Sequence, residues 1–227
     1  MTRIALLALT LLAQALTAAA QTDDEYLMEI GGGVGMVAYE GDLNGNILKG
    51  MQPIGAILLR RNMNPYMGLR VAASYGKIKG DAAGQKTYYP DEAVRNYAFD
   101  RSLADLSVTY EYNFWPYGTG RDYRGAKRLT PFVFGGIGLT YVSGNGDHVA
   151  TANIPLGLGI KYKVGARLNL GVEWTMHFSL SDKLDGVADP YGIKSSGLCK
   201  NTDCYSALMV TLSYSFMSKC RTCNNDD

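Results

Sequence analysis

The chain has 227 residues, 47% of them hydrophobic, with 27 glycines, 16 tyrosines and a formal net charge of +1. That near balance excludes wholesale nucleic-acid binding, and no run beyond the first twenty residues reaches the roughly 18 apolar residues of a transmembrane helix. Abundant glycine and tyrosine in short alternating segments predict an all-β chain, for which a single barrel of this length is ordinary.

Residues 1–20 read as a secretory signal peptide. Arg3 supplies the positive start, Ile4 to Leu16 is an apolar stretch broken only by Thr10 and Gln14, and Ala18, Ala19 and Ala20 form the small-residue cleavage site before Gln21. No cysteine follows that cut, so a lipoprotein anchor is not expected. Basic and acidic residues then balance in the mature chain.

Eight strands follow in order. Residues 26–38 put Tyr26, Met28, Ile30, Val34 and Met36 on one face and Glu29, Gly31, Gly33 and Gly35 on the other. Residues 52–61 make a weaker strand of unclear parity. Residues 66–78 set Met67, Leu69, Val71, Ala73 and Tyr75 against Gly68, Arg70, Ala72, Ser74 and Gly76. Residues 102–114 set Ala104, Leu106, Val108, Tyr110, Tyr112 and Phe114 against Asp105, Ser107, Thr109, Glu111 and Asn113. Residues 131–142 carry Val133, Ile137, Leu139 and Tyr141. Residues 154–164 carry Ile154, Leu156, Leu158, Ile160 and Tyr162 opposite Gly157, Gly159, Lys161 and Lys163. The clearest strand, 167–180, alternates without a break: Leu168, Leu170, Val172, Trp174, Met176, Phe178 and Leu180 against Arg167, Asn169, Gly171, Glu173, Thr175, His177 and Ser179. Residues 205–216 close the set with Leu208, Val210, Leu212, Tyr214 and Phe216.

Alternation alone fits a soluble barrel with an apolar interior as well as a membrane barrel with an apolar exterior. Three features select the second. The polar face carries Glu29, Arg70, Asp105, Glu111, Lys161, Lys163, Glu173 and His177 interleaved with glycines, a set suited to pairing within a narrow eight-stranded lumen. Aromatic residues of the apolar face gather near both strand ends, as interfacial girdles do. The signal peptide places the chain outside the cytoplasm. The expected architecture is an eight-stranded antiparallel transmembrane β-barrel with an apolar outer face and a polar filled lumen, over residues 21–216, with a tail at 217–227. Closure removes exposed sheet edges. It sits in the outer membrane with both termini in the periplasm. Connections 62–65 and 164–166 are then short periplasmic turns, and 40–51, 79–96, 143–153 and 181–204 are longer outer loops. The 115–129 connection is unusually long for the periplasmic side.

Little supports catalysis, a cofactor, a metal or a small-molecule substrate. His148 sits in the expected outer loop. His177 faces the lumen four residues after Glu173, where it reads as a hydrogen-bonded lumen histidine; a His/Glu/Ser lipid hydrolase would need a nucleophile, base and orienter within reach. The glycines at 31, 32, 33 and 35 lie inside a strand, which excludes a phosphate cradle and marks close packing. The segment 42–46 lacks the sixth-position glycine and distal glutamate of a calcium loop. Four cysteines divide between the last outer loop (Cys199, Cys204) and the periplasmic tail (Cys220, Cys223). The membrane separates the two pairs, so 199–204 and 220–223 are the bridges available within one chain, and the tail pair alone is too few ligands for zinc. Trp115, Tyr117, Arg121, Arg124, Lys127 and Arg128 give the 115–129 turn an aromatic, basic surface that could dock an acidic protein or lipid phosphates, or simply be solvated.

Several segments together resemble a known family. The run 29–35 with 39–44, then 61–65, 75–81, 113–118 (Asn-Phe-Trp-Pro-Tyr-Gly) and 131–138 (Pro-Phe-Val-Phe-Gly-Gly-Ile-Gly) is similar to PorG-type barrels, outer-membrane components of the type IX secretion system of Bacteroidetes. The resemblance covers about residues 25–216. It implies an eight-stranded barrel that anchors or assembles a periplasmic ring of secretion proteins, with no catalytic residues to carry over. A structural or adhesive barrel acting through its outer loops is the alternative.

Overall fold

The computed structural model describes residues 26–40, 50–81, 98–118, 126–144, 147–180 and 204–218. The signal peptide, Cys199, Cys220, Cys223, Arg121, Arg124, the 42–46 segment and the tail from 219 lie outside them. Eight strands follow in chain order: β1 (Tyr26–Glu40), β2 (Gln52–Asn62), β3 (Met67–Asp81), β4 (Ala98–Asn113), β5 (Leu129–Gly144), β6 (Asp147–Lys163), β7 (Leu168–Ser179) and β8 (Cys204–Ser218). Each pairs antiparallel with the next, and β8 returns to β1, where Tyr39 faces Tyr205 and Met28 faces Phe216. The barrel is closed, so every strand edge is paired.

Orientation follows the expected parity. Ile137 is 72% and Val34 71% exposed on the outer wall, whereas Glu111 is 0% exposed inside. Leu168, Leu170, Val172 and Trp174 look outward while Glu173 is buried. An outward apolar band of this kind on all eight strands costs too much in water and suits lipid, so the chain is a transmembrane barrel. β2 resolves the parity that its sequence left open: Ile54, Leu58 and Arg60 point inward, Ile57 and Leu59 outward. The glycines of β1 are packing sites. A Cβ at Gly31 would lie 2.7 Å from Ser213 Cα, and one at Gly35 2.8 Å from Met209 Cα, so the β1–β8 seam closes only without side chains there.

Three boundaries differ from the sequence expectation. Residues 143–153 are not a long loop: β5 and β6 run on to Gly144 and Asp147 and pair there, Ser143 with His148. β3 and β4 likewise extend to Asp81 and Ala98. β8 reaches Ser218, two residues into the expected tail, after Met217 takes a left-handed backbone (φ 61°).

The extensions of β3, β4, β5 and β6 share a cause. On the side away from the termini the alternation changes sense. Val37, Tyr39, Ile78, Phe99, Leu103, Val142 and Tyr205 point inward and form a buried apolar cluster. The outward positions there are Lys77, Lys79, Asp100, Ser102, Ser143 and His148. This is the pattern of a water-surrounded barrel stacked on a lipid-surrounded one. The apolar outer stretch Ala104 to Phe114 climbs about 25 Å at the usual strand rise and tilt, the height of a membrane barrel's apolar band. Four or five residues per strand beyond it add about 12 Å of collar.

Candidate functional site

The terminus-side half of the lumen is tied by ions. Glu111, fully buried, meets three cations. Arg60 Nε lies 2.8 Å from its Oε2 and Nη2 donates to Oε1 at 3.2 Å; Arg70 Nε lies 3.3 Å from Oε1; Lys161 Nζ bonds Oε2. Arg60 also donates to Glu29 Oε2 (2.6 Å), and Arg70 to Glu173 Oε2 (2.6 Å). Asn62 and Ser213 complete Glu29. Two stacked phenylalanines floor the knot: Arg70 lies 4.4 Å above Phe134, and Lys161 4.2 Å above Phe132. Three cations and three carboxylates thus satisfy one another where single charges would be costly.

The described ends of the 115–129 connection, 115–118 and 126–128, lie across the mouth below this knot. Tyr117 N donates to Pro65 O at 3.0 Å, which lays the segment over the β2–β3 turn. Tyr117 and Lys127 form a bridge, and Trp115 and Thr130 bond each other's backbone and hydroxyl. The Tyr117 hydroxyl crosses to Asn169 Oδ1 of β7 (3.0 Å). Burial, with Glu29 nearby, pushes its phenol well above the ordinary range, so it stays a neutral donor. Of the sequence-selected contact residues, Tyr117 is therefore committed inward. Trp115 stays exposed under Lys127 Nζ (4.6 Å from its ring), and Lys127 and Arg128 are exposed.

Higher in the lumen, Asp105 Oδ2 accepts from Asn153 (2.6 Å), Tyr205 (3.0 Å) and Thr140 (3.1 Å). His177 stacks on Tyr205 (4.4 Å between centroids), with Nδ1 3.4 Å from Asn153 Oδ1 and 3.8 Å from Asp105. Glu173, four residues before His177 on the same face, is held by Arg70. A cavity of about 40 Å³, room for on the order of two or three waters, lies among these groups and Ile54, Ala56 and Met209. The ionic knot and Tyr117 stand below it and the apolar cluster above.

His148 points to the outer wall, where it bonds Ser143 (3.2 Å) and stacks on Tyr141. Cys204 opens β8 opposite Glu40 and Phe178, its proposed partner Cys199 lying outside the described residues. Among the described residues no group of three or more His, Cys, Asp or Glu side chains is placed to hold a metal. Sequence reasoning missed Arg60, whose parity in β2 was hidden by the inward Ile54 and Leu58, and the Asp105–Asn153–Thr140–Tyr205 cluster, whose members come from three hairpins.

Over residues 3–225 the sequence matches the family described as a domain of unknown function, DUF6089, and the chain belongs to that family. No curated protein matches it in sequence. Among solved structures it is similar in fold to the outer membrane protein OprG from Pseudomonas aeruginosa (13% identity, 88% of this chain and 100% of that one, TM-score 0.49). It is also similar to Neisserial surface protein A (15%, 83% and 97%, 0.48) and to Ail, the attachment invasion locus protein of Yersinia pestis (12%, 86% and 99%, 0.46).

Proposed function

We propose that this DUF6089 member is a non-enzymatic, non-conducting barrel of the outer membrane. Its termini are periplasmic, and it anchors periplasmic components of a type IX secretion machinery. The observation that carries the reading is a lumen occupied by the Glu111 knot below and by apolar side chains above. Such an interior is built for closure rather than passage, which leaves the barrel's surfaces to act. Of these, residues 115–118 and 126–128 lie at the terminus-side mouth and keep Trp115, Lys127 and Arg128 exposed there. The specific link to secretion rests on the resemblance of the motifs at 29–44, 113–118 and 131–138 to PorG-type barrels. In this reading Cys199 clips to Cys204, and Cys220 and Cys223 in the tail bridge either to each other or to a partner.

Reversing Arg121, Arg124, Lys127 and Arg128 to glutamate and deleting 219–227 should weaken co-purification with periplasmic secretion proteins while leaving the barrel folded. Normal partner retention and normal cargo export by that variant would remove the docking assignment. The second reading, a structural or adhesive barrel, is favoured by the collar of paired strand ends that carries the outer connections. It predicts harm from trimming 82–97 and 181–203 and none from loss of the tail.

A further inference from the structure

We propose that the outer wall between the β6–β7 turn and β2, at the terminus-side rim, binds the phosphate headgroup of an anionic phospholipid. Arg167 and Arg61 are its cations. Arg167 sits in the turn before β7, fully on the surface. Its Nε donates to the Tyr26 hydroxyl and its Nη1 to the Tyr214 hydroxyl, both at 2.9 Å, and its own carbonyl accepts from Ser215 N at 2.6 Å. The guanidinium also lies 5.2 Å from the Tyr26 ring centre. Two of the five guanidinium N–H donors are used, so the group is held in place and still has donors for phosphate oxygens. An exposed arginine fixed by two tyrosines loses less rotamer freedom on binding than an unheld one.

The surroundings match a lipid. Along the rim the outward positions run Tyr214 and Phe216 on β8, Tyr26 and Met28 on β1, then Arg61 on β2, which pairs with Met28. Two cations thus flank an apolar and aromatic strip at the height where the apolar band ends, with acyl chains directly alongside. Among the described residues, charge on this rim has one sign. Among the described residues its exposed charges are Arg61, Lys127, Arg128 and Arg167, while Glu29, Glu111 and Glu173 all point inward. The opposite rim mixes signs, as in the Lys79–Asp100 pair (3.0 Å).

The inference rests on the transmembrane reading but not on the docking surface, since Arg61 and Arg167 lie outside the 115–129 segment. The test uses the full mature chain refolded in neutral micelles doped with phosphatidylglycerol or phosphatidylcholine, with retained lipid counted by native mass spectrometry. Wild type should retain phosphatidylglycerol selectively. R167Q and R61Q should each lower that retention about fivefold, R167K less, and K77Q on the far rim not at all. The Y26F/Y214F pair, which keeps both rings, should weaken retention by loosening Arg167. Equal uptake of both lipids by wild type, or unchanged retention in R61Q/R167Q, overturns the proposal. So does complete displacement of the lipid by inorganic phosphate, which would mark a free-anion site. Heat-modifiable migration on gels checks that each variant is closed. Wild type that fails to float with vesicles defeats the membrane reading itself; wild type that floats without selecting phosphatidylglycerol defeats only this inference.

Discussion

Replacing Glu111 by glutamine removes one negative charge from the centre of the knot and leaves Arg60, Arg70 and Lys161 facing Glu29 and Glu173 alone. At 2.8 Å, the Arg60 separation, a single pair is worth about 6 kcal/mol at the effective dielectric that describes buried protein charges. Relief of carboxylate desolvation and of repulsion from Glu29 and Glu173 offsets much of what the three pairs contribute. The remainder for a buried pair broken from one side is about 3–5 kcal/mol. E111Q should therefore lower stability by that amount in urea unfolding from phospholipid vesicles, followed by the fluorescence of Trp115 and Trp174. Adding Lys161→Met restores neutrality and keeps an apolar stem over Phe132, so the double variant should be more stable than E111Q. A single variant within about 1 kcal/mol of wild type, or a double that loses the sum of two single losses, would refute the claim that charge balance holds this end of the lumen.

Further outcomes follow from other parts of the barrel. Ile137→Arg, in the middle of the apolar band, should cost about 2–4 kcal/mol, whereas Ser143→Arg on the collar should stay within about 0.5 kcal/mol; equal costs in the same unfolding assay would erase the boundary drawn between them. Gly136→Ala places a Cβ 2.8 Å from Thr109 Cα and against the Val108 carbonyl, so β4 and β5 must part at a cost of about 1–3 kcal/mol, while Gly165→Ala, with nothing within 4 Å, should be neutral by thermal melting. Tyr117→Phe should cost about 1 kcal/mol for the lost bond to Asn169. Tyr117→Ala should still pass no current in planar bilayers, because Glu111 and its cations remain above the opened mouth.

The membrane-facing part of the fold was legible because lipid imposes one rule on every strand, and β7 obeys it at each position from Leu168 to Phe178. Legibility failed where the rule changes. Val142 and Val149 face inward while Ser143, His148, Ala150 and Ala152 face outward, so two paired strand ends read as a loop. In β2 the inward Ile54, Ala56 and Leu58 reach the upper lumen while Arg60 belongs to the knot, and the two environments cancel in the pattern. The lumen charges were correctly read as inward. Their partners were not readable, because Glu29 to Arg60 spans 31 positions and Arg70 to Glu173 spans 103, and no spacing encodes such pairs. Tyr117 counted as a surface aromatic since nothing local shows that its loop folds back across the mouth.

The reversal of side-chain sense above Tyr75, Ala104 and Tyr141 acts as a float line. A cylinder with grease outside below that line and grease inside above it has one depth at which both halves are content. Sliding it deeper would drown Lys77 and Asp100 in hydrocarbon, and lifting it would expose Leu139 to water. Immersion is thereby written into strand chemistry, and the connecting segments can lengthen, shorten or change composition without the protein riding higher or lower.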